Sequence, residues 1–337
     1  MNPSGRRILV TGASGFLGRH FCRDLLERGY RVRAVHRRAD PPAELLTLAD
    51  EGLELVRLDL HAPGASTVAC EGIDMVLHAA ALAYDWGPFD AFRKANVDLT
   101  ASLLEAAERA GCADFIFMSS AAVHGFGPHE DTTEDGPFHE LRYPYPITKL
   151  MAENLVRSRN RPGFRTVAVR PCNVYGPDDE TSTYEMYRAI LGGSFGYIGN
   201  GSSYTCPIYV DDLCEGVARV LACDGLGGEA IILTDGMKVS WKAYTEAMFA
   251  ALRSRKRPLA VPVPLAFAAA GAMSLGARVL RSAKAPPLTR YRVEQVASHY
   301  HFSNEKARRV LGFEPRIFFL EGLRLTAEAY LRSRGAG

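Results

Sequence analysis

Tyr145 and Lys149 stand four residues apart in the stretch Tyr145-Pro146-Ile147-Thr148-Lys149. On a helix that spacing sets a phenol and an ammonium on one face, one turn apart. A free tyrosine ionises near pH ~10 and is a poor proton carrier at neutral pH. A fixed positive charge beside it stabilises the phenolate and makes it a usable general acid or base. The spacing also arises by chance, so the pair needs a site built around it.

A second stretch offers a different chemistry. Gly12, Gly15 and Gly18 punctuate Thr11-Gly12-Ala13-Ser14-Gly15-Phe16-Leu17-Gly18. The apolar run Arg7–Thr11 before it predicts a strand. Leu17, Phe21 and Leu25 after it fall at helical spacing, and Gly29 suits the helix end. Glycines between a strand and a helix permit a tight turn and close backbone approach to a pyrophosphate at the helix N-terminus.

The elements that must carry these residues alternate strand and helix. Tyr30–Val35, Leu53–Leu60, Ile73–Leu77, Asp114–Met118 and Arg165–Val169 predict strands, and Phe89–Ala110 predicts a long helix. The pattern describes an α/β doubly wound parallel sheet of Rossmann type, with ligands at the carboxyl ends of its strands. Arg37 and Arg38 follow the second strand, where an NAD site usually carries an acid. Guanidinium groups suit a 2′-phosphate and favour NADP(H), with NAD(H) the alternative. A solvated loop, or an arginine stacked on adenine, would explain them equally simply. Asp59, with Leu60 beside it, is placed to accept from an adenine amino group. Ala79, Ala80 and Ala81 are small enough for the backbone to approach a cofactor. Ser120 falls at the lip of the sheet. The loop 124–143 reads as a surface excursion.

Taken together, Thr11–Gly18, Asp59, His78–Ala81, Asn96, Ser120, Tyr145–Lys149 and Arg170–Pro177 resemble the ordered motifs of the extended short-chain dehydrogenases/reductases. The resemblance implies a catalytic set of Ser120, Tyr145, Lys149 and Asn96. Tyr145 would pass a proton to or from the substrate oxygen, and Ser120 would hydrogen-bond it. Lys149 would hold the nicotinamide ribose and depress the tyrosine pKa, and Asn96 would support a water relay to Lys149. The cofactor would touch Gly12, Ser14, Gly15, Phe16, Leu17, Gly18, Pro171, Asn173 and Val174 besides the residues above. Leu99 stands where the family often has glycine, which should alter only helix packing.

Three features narrow the branch. Ala121 and Ala122 follow Ser120 where sugar-nucleotide dehydratases of the family carry an acid pair. Thr205 stands where nucleotide-sugar enzymes carry a phosphate-gripping arginine. The segments Tyr84-Asp85-Trp86-Gly87, Pro286–Arg290 and Phe302–Ala307 resemble the 3β-hydroxysteroid and sterol dehydrogenase branch. That branch acts on hydrophobic secondary alcohols or ketones, sterols and long-chain β-keto acids among them. Tyr84, Trp86, Ser120, Ala121, Ala122 and Tyr175 are the candidate substrate contacts. A nucleotide-sugar epimerase with tightly held NAD is the alternative activity, and a non-catalytic NADP(H) sensor the third, disfavoured by the intact tyrosine.

The bulk numbers agree with an ordinary globular enzyme. The 337 residues hold 40 basic and 38 acidic side chains, a net charge of +2, with no basic block to imply nucleic acid. Seven scattered cysteines signal neither disulfides nor a zinc site, and with no signal-peptide core near Met1–Arg7 they suggest a cytoplasmic protein. Residues 1–175, rejoined by about 206–234, should form the cofactor domain, with 176–205 and 235–337 the substrate lobe. Many relatives dimerise through helices matching 89–110 and 145–158, so a homodimer is possible. The stretch 259–277 carries no charge. A helix over 265–280 would be about 24 Å long, short of the ~30 Å bilayer core. A buried, pocket-lining helix is expected there, and a peripheral membrane face is the sharper alternative.

Overall fold

The computed structural model describes residues 5–282 and 284–335. Residues 1–4 of the polar N-terminus, and 283, 336 and 337 of the substrate lobe, lie outside them. The first half runs β1 (Arg7–Thr11), α1 (Phe16–Glu27), β2 (Arg31–His36), α2 (Ala43–Asp50), β3 (Glu54–Arg57), α3 (Ala65–Cys70) and β4 (Met75–His78). A short helix α4 (Phe89–Phe92), a π turn (Arg93–Asp98) and α5 (Leu99–Ala110) form one continuous rod. β5 (Asp114–Met118), β6 (His129–Thr132) and α6 (Pro144–Ser158) follow. The second half runs β7 (Arg165–Pro171), β8 (Asn173–Tyr175), α7 (Thr183–Gly192), β9 (Gly196–Ile198), β10 (Tyr204–Thr205), β11 (Pro207–Tyr209) and α8 (Val210–Ala222). Then come β12 (Ala230–Leu233), β13 (Val239–Ser240), α9 (Trp241–Ala251), β14 (Leu259–Val261), α10 (Val263–Val279), α11 (Arg290–Ala297), β15 (Tyr300–Phe302), α12 (Glu305–Leu311) and α13 (Phe319–Gly335).

Seven strands form one parallel sheet in the order β12-β7-β5-β4-β1-β2-β3. The order reverses between β1 and β4, which opens the ligand crevice there. Side-chain alternation splits the core. Ile8, Val10, Met75, Leu77, Ile116 and Met118 face α1 and α8 on one side. Leu9, Val76, Phe115 and Phe117 face α3, α5 and α6 on the other. A third cluster, rich in tyrosine, joins α7, α9 and α13 under the C-terminal lobe.

Three local expectations need correction. The third strand stops at Arg57, because Asp59 turns the chain: Ala62 N–H donates to its carbonyl at 2.9 Å and His61 N–H to its Oδ1 at 3.1 Å. The loop 124–143 is no simple surface excursion, since it contributes β6, paired with β15, and buries His124, His129 and Glu134. The uncharged stretch forms α10, yet this helix buries only Ala266 and Ala270. Among the described residues no helix is long and apolar enough to cross a membrane, and no His, Cys, Asp or Glu group is placed to hold a metal ion.

Candidate active site

The glycine turn closes directly on β4. Gly12 has φ +70°, and a Cβ there would lie 2.8 Å from the Ala80 backbone. A Cβ on Gly18 would lie 2.2 Å from the Gly12 carbonyl oxygen, so glycine alone lets α1 start this close to the turn. Gly15 caps α1 without any side chain, leaving the helix's first N–H groups for a ligand. Thr11 Oγ1 locks the two strands by accepting from Ala80 N–H at 3.2 Å and meeting His78 Nδ1 at 2.7 Å. His78 Nε2 lies 2.9 Å from Thr100 Oγ1. Burial, and then the Lys149 charge, push His78 down to about 3, so this latch is neutral.

Along the crevice, Phe16 and Leu17 pack partly against the lobe core, and Ser14 is half-buried. Arg37 and Arg38 are exposed beyond β2 and make no ion pair among the described residues. His36 leaves a buried Nδ1 without a partner beside them. Asp59 keeps Oδ2 free, Leu60 packs on the core, and Ala79–Ala81 line the β4 end. This cradle and its free cations fit a dinucleotide.

Helix α6 carries Tyr145 and Lys149. Pro144 opens its first turn, where no amide donor is needed. Tyr145 follows, half-buried, with its phenol close enough to Ser120 for that hydroxyl to favour the phenolate. Burial raises the phenol's pKa and the Ser120 hydroxyl only partly offsets it. Lys149 does not supply the expected depression. It is buried, donates to the Met118 carbonyl and sits 4.3 Å from the Phe117 ring centroid. Burial pushes this lysine down to about 7, against the opposing pull of Glu153. A lysine that titrates near neutrality carries a full charge only part of the time.

Asn96 also departs from its expected role. It lies in the π turn, buried, and both of its amide protons are taken. Oδ1 accepts from Leu82 N–H at 2.7 Å, while Nδ2 donates to Leu82 O at 3.2 Å and to Thr148 Oγ1 at 3.0 Å. It clamps the loop after β4 to α6, which leaves no free amide N–H for a water relay.

Tyr175 is corrected outright as a substrate contact. It is 1% exposed, donates to the Phe319 carbonyl at 3.2 Å and packs on Tyr209, Tyr244 and Phe319. Ala121 and Ala122 are buried too, and the Ala122 N–H donates to Ser120 Oγ at 3.1 Å. They shape Ser120 from beneath and offer a substrate no side-chain surface. Asn173 is held by Thr205 at 2.5 Å and Gln295 at 3.2 Å, beside buried Pro171 and partly buried Val174. Tyr84 is exposed, and Trp86 donates to the Ser282 carbonyl at 3.3 Å.

Two groups escaped the sequence reading. The first is an aromatic wall: Phe126 meets Tyr291 edge-on at 4.7 Å, and Tyr143 meets Tyr291 at 5.3 Å. Tyr291 lies close to Tyr145. The second is a buried polar floor of Ser119, Glu153, Arg170 and His124. Ser119 Oγ donates to Glu153 at 2.6 Å, and Arg170 bonds both Glu153 and His124 Nε2. Arginine can only donate, so His124 Nε2 accepts and Nδ1–H donates to the Pro137 carbonyl at 3.2 Å. Burial first, then Arg170, push His124 down to about 3. A charge at Glu153, one turn past Lys149, was the one available signal.

Residues 8–232 match the NAD dependent epimerase/dehydratase family. The chain belongs to that family. It is 30% identical to the 2-alkyl-3-oxoalkanoate reductase of Stenotrophomonas maltophilia, over 94% of this chain and 97% of that one. It is 32% identical to the 4-hydroxy-2-methyl-3-oxo-4-farnesyl-3,4-dihydroquinoline-1-oxide ketoreductase of Stigmatella aurantiaca, over 98% of both. It is 30% identical to the 3 beta-hydroxysteroid dehydrogenase/Delta 5→4-isomerase of Mycobacterium tuberculosis, over 92% of this chain and 86% of that one. The family member described here is therefore an NAD-dependent oxidoreductase, on the ketoreductase and hydroxysteroid dehydrogenase side of the family.

Proposed function

We propose that the protein reduces a hydrophobic ketone, or oxidises the matching secondary alcohol, with NADP(H) as the preferred cofactor. The observation that carries this is the Ser120–Tyr145 hydroxyl pair set beside an aromatic wall, with alanines where elimination would need acids. The names of the relatives support the substrate class, since each handles an alkyl, prenyl or steroid ketone or alcohol.

Bound nicotinamide supplies or accepts the hydride at the substrate carbon. Everything else falls to the chain. Gly12–Gly18 and the α1 N-terminus hold the pyrophosphate, and Arg37 and Arg38 bind the 2′-phosphate. Ser120 Oγ donates to the substrate oxygen and orients it. Tyr145, whose phenol stays protonated at neutral pH, donates its proton to that oxygen as the carbonyl is reduced. Lys149 would donate to a hydroxyl of the nicotinamide ribose. Tyr143, Phe126 and Tyr291 exclude water and grip the apolar body of the substrate. In this reading residues 1–175 with 206–234 hold the cofactor, and 176–205 with 235–337 hold the substrate. Seven unpaired thiols fit a cytoplasmic location.

The test is NADPH and NADH oxidation against medium-chain β-keto acids, 3-ketosteroids and UDP-sugars. Turnover of a β-keto acid or steroid with net NADPH loss supports the reading. Tightly held NAD with interconversion of a UDP-sugar and no net oxidation would replace it with the epimerase.

A further inference from the structure

Helix α10 is apolar on both faces but covered on one. Ala266 and Ala270 pack with Val293 of α11. The opposite stripe holds Leu265, Ala268, Ala272, Leu275 and Val279, all exposed. Leu265 is 59%, Leu275 64%, Val279 73% and the following Leu280 81% exposed. A surface helix ordinarily turns charges to water, and between Val263 and Ala277 this one has only Ser274 as a polar side chain. Large contiguous apolar surfaces of this kind mark a contact.

Charge says what makes that contact. From Ala247 to Val293 the chain carries nine Lys and Arg and no Asp or Glu. Arg255 and Arg257 stand before β14, which leads into the N-terminus of α10. Arg281 and Lys284 follow its C-terminus. All four are exposed and make no ion pair among the described residues. An apolar stripe with cations at both ends matches an anionic lipid interface, where the stripe enters the acyl boundary and the cations reach the headgroups. A second copy fits poorly, because a two-fold contact would set this positive rim against itself.

The helix also adjoins the substrate side. Trp86 Nε1 donates to the Ser282 carbonyl at 3.3 Å, and Arg278 lies 5.9 Å from the Trp86 ring. Exposed Tyr84 is on the same loop. Helix α11, packed against α10, carries Tyr291 of the aromatic wall. We infer that α10 docks the protein in-plane on an anionic phospholipid surface, with the substrate entrance beside the lipid.

Co-sedimentation of the full chain with vesicles tests this. Phosphatidylcholine vesicles should leave the protein in solution, and vesicles enriched in phosphatidylglycerol should pellet it, less so at high salt. Leu275→Glu/Val279→Glu and, separately, Arg281→Glu/Lys284→Glu should each weaken pelleting by about tenfold or more, with unchanged melting temperature. These side chains are exposed, so folding is not at risk. Wild-type protein that ignores phosphatidylglycerol vesicles at low salt overturns the inference. So do variants that pellet like wild type. Self-association in light scattering that Leu275→Glu/Val279→Glu dissolves, with no vesicle binding, would assign the face to another copy instead.

Discussion

Glu153 and Arg170 meet as a buried, two-pronged ion pair under α6, with Nη2 2.5 Å from Oε1 and Nε 3.1 Å from Oε2. The pair ties α6, which carries Tyr145, to β7. Glu153→Gln keeps the shape and removes the charge. Breaking a buried pair by losing one partner costs about 3–5 kcal/mol, because the other charge stays buried. A clear drop in melting temperature is expected. Glu153 also favours the charged form of Lys149. The variant's alkaline limb in kcat/KM for the nicotinamide should therefore move to lower pH. An unmoved limb, in protein shown to be folded, would mean that Glu153 serves stability only.

Tyr145→Phe removes the phenol that meets Ser120 and leaves the glycine turn untouched. General acid catalysis contributes about 10²–10⁴, so ketone reduction should fall by that range. NADPH affinity, followed by fluorescence titration, should hold. Ser120→Ala should fall less, since the tyrosine still carries the proton. Turnover by Tyr145→Phe at the wild-type rate would remove the tyrosine from the mechanism.

The parts of this site that were legible in the sequence are those set by local backbone rules. Gly12 and Gly18 announce close approach, and the strand–turn–helix around them follows from a few residues. Tyr145 and Lys149 share a helix face whatever surrounds them. What could not be read is what arrives from far along the chain. Tyr175 sits among motif residues, yet Phe319, 144 residues later, takes its hydroxyl. Asn96 satisfies itself on Leu82 and Thr148 because a π turn re-aims it. The wall needs Tyr291 beside Phe126, and no local pattern pairs them. The pKa of Lys149 depends on burial, which spacing does not report.

Gly18→Ala should damage the cofactor site without any change in charge. The added methyl would lie 2.2 Å from the Gly12 carbonyl oxygen, which is backbone and cannot swing aside. The start of α1 must retreat, and the pyrophosphate contact goes with it. Affinity for NADPH should fall about tenfold or more, in line with a loss of roughly 1.4 kcal/mol or more. Gly225→Ala, where nothing lies within 4 Å, is the control and should bind normally.

Arg37→Asp tests the cofactor preference directly. The side chain is exposed and makes no ion pair among the described residues, so the change reports on ligand rather than fold. A carboxylate there repels a 2′-phosphate and can accept from the ribose hydroxyls of NADH. The ratio of kcat/KM for NADPH over NADH should drop by at least about tenfold. A variant that keeps the wild-type ratio would show that Arg37 does not read the phosphate.

Lys149→Met should change how stability depends on pH. The folded lysine titrates at about 7 because of burial, while in the unfolded chain it titrates near ~10.4. Between those values the unfolded chain holds the proton more than the folded one, so stability from this group rises with pH across the window. Below pH 7 both states hold the proton and the penalty is complete and constant. Methionine has similar length, fills the same space and does not titrate. The unpaired Met118 carbonyl it leaves is a cost independent of pH. The melting temperature of wild type minus that of Lys149→Met should therefore climb between pH 7 and 10 and level off below 7. Other titrating groups are common to both proteins and cancel in the difference. Parallel curves across that window would show that Lys149 keeps an ordinary pKa in the folded protein, and that the charge beside Tyr145 is permanent.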